Sequence, residues 1–442
     1  MKRHLLALLV ASATGGVAGP AFAQEAGEPS ARVELRSRTY FLPAERSLGL
    51  SEPASEWPIY QFLELAGYDL STPGLSFHTS VWGFGDFGEG EDPVTGDAIS
   101  GDVDILYAQY ADPEGRYQLR LGRQLVLGAP GVGNFAQLDG GWGRVALGNF
   151  DLQAYGGQTV ERRFRNYGEG DWSAGGRAGY HAWSRVNAGV SYLHAREGGA
   201  IAREHLGADL AVVPVDGVDL VADVAYDLGD PGLARSRGLV RWAPVERLVL
   251  GAGAEMSSPG RLLDKTSIFS VFSLGDYRQL DGLVQWSPID RMTLAARYAR
   301  VSFADDDGEG LGEGGNRFGA SVSGYLLRDL WCTVEGDRVE AAEQEGEDNA
   351  YSSVRVAGRY TPAERWVASI DLLGYFYDVA PLDVPESADR SLVARIFAER
   401  RFGAGTHVGI GGEVAETVLA ESDVRGILRI TQDLDLVSGV QP

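Results

Sequence analysis

Apolar and polar residues alternate with a period of two along most of this chain. In the stretch that begins at Leu248, Leu248, Leu250, Ala252, Ala254 and Met256 share one side, and Val249, Gly251, Gly253 and Glu255 share the other. Residues 353–360 split the same way, with Val354, Val356, Gly358 and Tyr360 against Ser353, Arg355, Ala357 and Arg359. Residues 218–226 set Val218, Leu220, Ala222, Val224 and Tyr226 against Asp219, Val221, Asp223 and Ala225. A strand turns successive side chains to opposite faces, so this period predicts strands with one apolar face. Stripes with a 3.6-residue period are scarce, which predicts little or no helix. The expected fold class is all-β, with about 22 strands, in a range of roughly 18 to 24.

The connections between these segments alternate in length. Tight ones fall at residues 112–115, 148–149, 184–185, 214–217, 244–246, 288–290, 327–329, 362–364 and 403–405. Longer, more polar ones fall at 42–57, 87–101, 162–170, 257–275, 304–316, 339–349 and 379–388. Such alternation predicts an up-and-down antiparallel meander whose two ends face different compartments. At the tight end one phrase recurs: WAPVERLVLGAGAEM from Trp242, WSPIDRMTLAARYARV from Trp286 and YTPAERWVASIDLLGYF from Tyr360, with a looser copy, YADPEGRYQLRLGRQ, from Tyr110. Read as a hairpin, the proline stops the strand and the Arg and Glu lie in a headgroup zone. Trp242, Trp286, Tyr360 and Trp366 then lie at a membrane interface. A meander of this size in water would hide its polar face and expose its apolar one. A bilayer reverses that cost and demands closure, so that every backbone group is paired. The expected architecture is a transmembrane up-and-down antiparallel β-barrel.

Composition narrows the setting. The chain has 442 residues, with 60 Gly and 3 Met. It opens MKRHLLALLVASATGGVAGPAFAQ, with a basic start (Lys2, Arg3), an apolar run and an Ala21-Phe22-Ala23 site. This is the pattern of a signal peptide, residues 1–23, cleaved to leave residues 24–442 as a single barrel domain. Cys332 is the one cysteine, so an internal disulfide is excluded. No later stretch reaches the roughly 18 uncharged apolar residues of a spanning helix. The net charge of -23, with Lys2 and Lys265 the only lysines, excludes nucleic acid as a partner because phosphates would repel the chain.

The segment LRLGRQLVLGAPGVGNFAQLDGGWGRVAL, residues 119–147, is similar to a strand-loop-strand unit of porin-like and substrate-export barrels, in which RLGRQ precedes a loop and the next strand opens with Asp-Gly. Over the mature sequence the chain resembles a Gram-negative outer-membrane β-barrel of the porin type. The resemblance implies export to the outer membrane, short periplasmic turns and longer acidic extracellular loops. It also implies contact with outer-membrane lipid and lipopolysaccharide, and passage of small hydrophilic solutes. Such barrels commonly end on an aromatic residue. Here the last strand is expected to stop near Thr431, with a tail running to Pro442.

By parity, the face opposite the apolar one carries Arg36, Arg38, Arg120, Arg235, Arg237, Arg241, Arg297, Arg355, Arg359, Arg395, Arg425 and Arg429. The acids Glu34, Asp219, Asp223, Glu255, Asp281, Glu335, Asp337, Asp371 and Glu399 share it. Lining a lumen, such a wall would solvate a pore, and its guanidinium groups would favour carboxylate or phosphate solutes. The same charges could instead satisfy one another and stiffen the wall. The 127–141 connection, LGAPGVGNFAQLDGG, is less polar than the other loops and either stays outside or folds into the lumen as a constriction. It is no dinucleotide fingerprint, since no helix follows it.

Acid collects at 84–97, 305–315 and 340–348. Asp305, Asp307 and Glu309 fall short of a complete calcium loop, which leaves solvated loops or loops bridged by divalent cations to lipid head groups. No serine-hydrolase elbow, zinc-protease motif or haem-attachment motif occurs. His194 and His205 flank one outer loop and keep a surface barrel hydrolase open as an alternative. A sheath housing an export or electron-transfer partner in its lumen is another, and a homo-oligomer is also open. The expected function is a non-enzymatic outer-membrane channel, with no cofactor or metal, for passive or substrate-preferring diffusion of small hydrophilic solutes.

Overall fold

Strands form wherever the two-residue period runs. The computed structural model describes residues 32–48, 54–69, 72–87, 99–127, 132, 135–160, 171–182, 185–262, 275–304, 311–340, 350–378, 389–403, 405–418 and 420–438. The signal segment, the acidic stretch 305–310 with its Asp305, Asp307 and Glu309, the stretch 341–349 and most of 128–134 lie outside the described residues.

The first strands are β1 (Arg32–Phe41), β2 (Ala44–Leu48), β3 (Ala54–Glu56), β4 (Pro58–Tyr68), β5 (Leu75–Asp86), β6 (Ile99–Ala111), β7 (Tyr117–Leu127) and β8 (Phe135–Leu147). There follow β9 (Phe150–Thr159), β10 (Trp172–Ala182), β11 (Val186–Glu197), β12 (Ala200–Val215), β13 (Val218–Asp227), β14 (Gly232–Val245), β15 (Leu248–Ser257) and β16 (Tyr277–Ile289). The last are β17 (Met292–Ala304), β18 (Leu311–Leu327), β19 (Leu330–Glu340), β20 (Tyr351–Ala363), β21 (Trp366–Tyr377), β22 (Arg390–Phe402), β23 (Thr406–Thr417) and β24 (Ala420–Ser438). Among the described residues a single helical turn, Pro259–Leu262, accompanies them.

All pairings are antiparallel, and β1 pairs with β24 from Arg32↔Ser438 to Phe41↔Leu428, which closes the sheet. β2 continues β1 along β24 beyond Pro43, and β3, paired to β2, leads into β4, so the segments make a closed barrel of 22 strands. Closure leaves no long exposed edge for another chain to pair with. Much of the connection expected over 42–57 is therefore strand.

The end of the chain corrects a second expectation. Residues 432–438 are no tail: β24 runs to Ser438, with Asp433 and Asp435 alternating with Leu434. The acids meet the first strand, Arg36 donating to Asp433 at 2.6 Å and Arg32 to Asp435 at 3.4 Å. Charge on alternate positions reads as a solvated tail only while its partner, 397 residues earlier for Asp433, is out of view.

The recurrent proline does not stop its strand. β14 passes through Pro244, β16 through Pro288 and β20 through Pro362, and the chain reverses two residues later at Glu246-Arg247, Asp290-Arg291 and Glu364-Arg365. In each case the register slips just there, between Trp242 and Val245, Trp286 and Ile289, and Tyr360 and Ala363. The proline takes the unpaired place of a bulge, where no N–H is needed. The residue before it keeps the wall joined: Ala243, Ser287 and Thr361 donate to the carbonyls of Gly217, Arg247 and Asp329 at 2.7, 2.8 and 2.8 Å. At the other end the connections are not uniformly long. β11 and β12 join through Gly198-Gly199, whose φ of 55° and 79° is the left-handed pair that a two-residue hairpin requires.

The alternation gives the wall two faces. One is apolar, with large exposed side chains such as Leu121, Leu280, Ile396 and Ile410. Near the tight turns it carries Trp242, Trp286, Tyr360 and Trp366, each about half exposed. The paired rings of Tyr110 with Tyr117 and of Phe150 with Tyr180 extend this girdle, and the Arg400 guanidinium lies 5.1 Å from the Trp366 ring. A second aromatic set, including Tyr298, Phe318 and Phe376, lies further along the same face. Trp366 and Phe376 are the two ends of one strand. At about 3.3 Å per residue and a tilt of about 40°, they stand roughly 25 Å apart in height, the span of an apolar membrane band.

Candidate functional site in the charged face

The other face is charged, and most of its arginines meet carboxylates. Arg235 and Arg237 share Asp223 at 2.8 and 2.9 Å, and Arg297 and Arg317 share Asp337. Arg355 grips Asp371 with two hydrogen bonds of 2.8 and 2.7 Å and approaches Glu335 at 3.6 Å. Arg395 and Arg425 flank Glu413, Arg425 also binds Asp423, and Arg429 binds Glu399. Arg38 binds Glu64, and Arg241 lies 3.6 Å from Asp219. Glu255 accepts from the Tyr277 hydroxyl at 3.2 Å, while the Asp281 carboxylate lies over Gly253, in space a Cβ would fill. Arg297 on β17 reaches Asp337 on β19, spanning a whole strand. Since many of these pairs are partly in water, each is worth about 1 kcal/mol or less, and together they brace the wall.

Two arginines of the parity set, Arg120 and Arg359, have no carboxylate partner among the described residues. Arg359 stands exposed near a tight turn. Arg120 is held. Its guanidinium lies 5.5 Å from the Tyr107 ring and 4.7 Å from the Trp142 ring, and its Nε donates to Gln109 Oε1 at 2.7 Å. Tyr107 stacks on His78 at 4.9 Å, and His78 meets the edge of Tyr68 at 5.4 Å. One ladder of flat groups thus crosses β4, β5, β6, β7 and β8. The aromatic faces orient the cation without cancelling its charge, so its remaining N–H groups stay available to an anion.

Beside this ladder the wall folds over, and the RLGRQ and Asp-Gly residues explain how. β6 and β7 pair only as far as Leu106↔Arg123. Gly122 there has φ 123°, and a Cβ would stand 2.2 Å from the Leu106 carbonyl oxygen. Arg123 then bridges the opening. It binds Asp139 through two contacts of 2.9 Å and donates to the Val103 carbonyl at 3.0 Å. Past this clamp Gln124 is fully buried, donating to the Gly140 carbonyl at 3.2 Å. Val126 packs with Leu138, Tyr155 and Leu193, and with Val132, the one described residue of the connection that follows β7. Trp142, the ring under Arg120, packs against this cluster. Val132 is only 2% exposed, so this connection does touch the charged face.

His194 and His205 do not come together. His194 stacks on Trp172 at 5.0 Å and lies 3.5 Å from Glu204 on the apolar side, whereas His205, one residue further along β12, turns to the charged side and is buried. There its Nε2 meets the Arg261 carbonyl of the helical turn at 2.9 Å. A two-residue period separates such neighbours whatever their distance in sequence. Sequence reasoning missed Tyr107, Trp142, Gln109 and His78. Their parity with Arg120 was the available signal, but the pairing of five strands was needed to use it. Among the described residues no cluster of His, Cys, Asp and Glu is arranged to hold a metal ion.

A closed barrel with an apolar face, two aromatic levels and a charged face defines the class: an up-and-down β-barrel built for an apolar surround. No protein-family model and no curated protein sequence matches the chain. Among solved structures it is similar to Pseudomonas aeruginosa OpdK with vanillate (10% identity, TM-score 0.44), OpdO (12%, 0.44) and OccK8, or OprE (12%, 0.44). Each likeness covers 92% of this chain and 98% of the other. At such TM-scores the likeness carries no argument about the site, and the barrel rests on the strand pairings themselves.

Proposed function

We propose that the protein is an outer-membrane channel for small hydrophilic solutes. The observation that carries this reading is the division of one closed wall into a continuous apolar face and a charged face. In a bilayer the apolar face lies outward and the charged face lines a watery lumen. The tight turns face the periplasm and the longer connections face outside. The chain reaches that membrane through the signal segment 1–23.

Within the lumen the matched arginines hold the wall, and Arg120 is the point where an anion is received. A carboxylate or phosphate solute can accept from its free N–H groups while an apolar part rests on Trp142. The connection through Val132 narrows the passage on that side. No bond is made or broken; the wall selects by charge and shape.

The test is single-channel current through the refolded mature chain in a planar bilayer. We expect stable steps and a reversal potential in a salt gradient that favours anions. Deleting residues 131–136 is expected to raise the conductance. A folded barrel that passes no current would overturn the channel reading.

A further inference from the structure

The apolar face ends in two arginines on neighbouring strands. On β16 it runs Trp286, Val284, Gly282, Leu280 and then Arg278; on β17 it runs Leu294, Ala296, Tyr298 and then Arg300. Leu280 is paired with Arg300 and Arg278 with Ser302, so the two arginines are diagonal neighbours on one face. Such diagonal positions are about 7–8 Å apart, within reach of one shared small group. Both arginines are exposed, and neither has a hydrogen bond or ion pair among the described residues. Asp276, which precedes β16, lies 4.0 Å from Arg261.

Two other arginines toward this end of the same face are matched. Arg338 binds Asp378, and Arg390 lies 3.7 Å from Glu416. The unmatched pair is therefore local. Its height is also defined: eight residues of β16 separate Arg278 from Trp286, which places it roughly 20 Å above the lower girdle. Just beneath lie the rings of Tyr298 and Phe318, 5.1 Å apart, with the Tyr298 hydroxyl donating to Asn316 at 2.9 Å. Apolar side chains, then aromatic rings, then two bare cations reproduce the order of acyl chain, interface and head group.

We propose that Arg278 and Arg300 together bind the phosphate of a lipid in the leaflet that meets the long-connection end of the barrel. This rests on the reading that the apolar face lies in a bilayer. Two guanidinium groups can offer a phosphate several charge-assisted N–H bonds in fixed geometry, and among the described residues no acid is bound to either. The occupant is a lipid rather than free phosphate because its acyl chains would lie on Leu280, Val284 and their neighbours.

The test uses the full mature barrel in phosphatidylcholine vesicles carrying a minor fraction of bis-phosphorylated lipid A, or the same lipid with its phosphates removed. Retained lipid is counted by native mass spectrometry. Wild type is expected to retain the phosphorylated form roughly thirtyfold better, the scale for two basic residues at a membrane surface. R278Q/R300Q should lose that preference, R278K/R300K should keep most of it, and R338Q, whose arginine is already matched, should leave it unchanged. Equal retention of the two lipids by wild type, loss of preference when inorganic phosphate is added at equal concentration, or an unaltered preference in R278Q/R300Q would each overturn the proposal. Failure of the bilayer reading would show separately, as a folded protein that does not float with the vesicles.

Discussion

Two sectors of the charged face treat arginine in opposite ways. From β17 through β24, Arg297, Arg355, Arg395, Arg425 and Arg429 each close on a carboxylate. Between β4 and β8, Arg120 is held by two rings and an amide instead. The residue type and the face are the same, but the charge left over is not. A matched arginine spends its hydrogen bonds on the wall, whereas a bracketed one is positioned with its charge intact. Counting arginines on the inner parity therefore overstates the field such a wall offers a solute.

Removing the shared acid is the strongest way to break the contrast. Glu413 is 7% exposed and serves both Arg395 and Arg425. Glu413→Gln should cost about 1–2 kcal/mol in urea unfolding, below the 3–5 of a fully buried pair because both arginines are about half in water. It should also shift the reversal potential toward anions, by freeing Arg395, while Arg425 keeps Asp423. An unchanged midpoint and an unchanged potential together would show that the matched sector neither braces nor screens.

The bracketed sector should respond the other way round. Arg120→Gln is expected to change stability by about 1 kcal/mol at most, the scale of an aromatic–cation contact. It should also lower the anion-to-cation permeability ratio roughly fivefold, as one unscreened charge would in a partly watery pore. Gln109→Glu sharpens the point, since it keeps the guanidinium and supplies the missing carboxylate. It should reproduce most of the electrical loss, and a ratio equal to wild type in both variants would remove Arg120 from the mechanism.

The smallest effect is at a turn outside the wall. The side-chain hydrogen bond from Arg116 holds the Asp112 carboxyl below the usual carboxylate range. A carboxyl depressed in the folded state stabilises above its unfolded value, near pH 4, and loses that contribution as pH falls through the lower folded value. Arg116→Ala should therefore lower stability above about pH 4 and flatten the acid limb, with the two profiles converging as pH falls below that value. The matched Arg338–Asp378 pair, at the opposite end, gives a control of the same sign, since Arg338 holds Asp378 below its ordinary value.

Strand periodicity is local, so the barrel, its strand number and the two faces of residues such as Leu248 to Glu255 could be read from the chain. What could not be read depends on neighbours remote in sequence. Arg297 and Asp337 are 40 residues apart and skip a strand, so parity places both on one face without pairing them. Arg123 and Asp139 sit inside a motif whose function is to clamp an opening in the wall, visible only once β6 and β7 are seen to part. The prolines mislead because a missing N–H ends a strand only where a partner needs it, and a bulge has a place that needs none.

The seam between Arg32, Arg36 and the last strand also bears on how the molecule is assembled. Joining ends so far apart costs roughly 5 kcal/mol in chain entropy, so closure comes late and needs a guide. The alternating pattern rejects a slip of one residue, which would turn every side chain over, yet it is blind to a slip of two. Charge is not. Moving β24 by two residues in one direction would set Glu34 against Asp433 and Arg38 against Arg429, like against like; the other direction keeps arginine opposite aspartate, Arg36 at Asp435 and Arg38 at Asp433. The two ends of the chain thus hold a one-way ratchet, which bars one of the two slips at the moment the ring is completed.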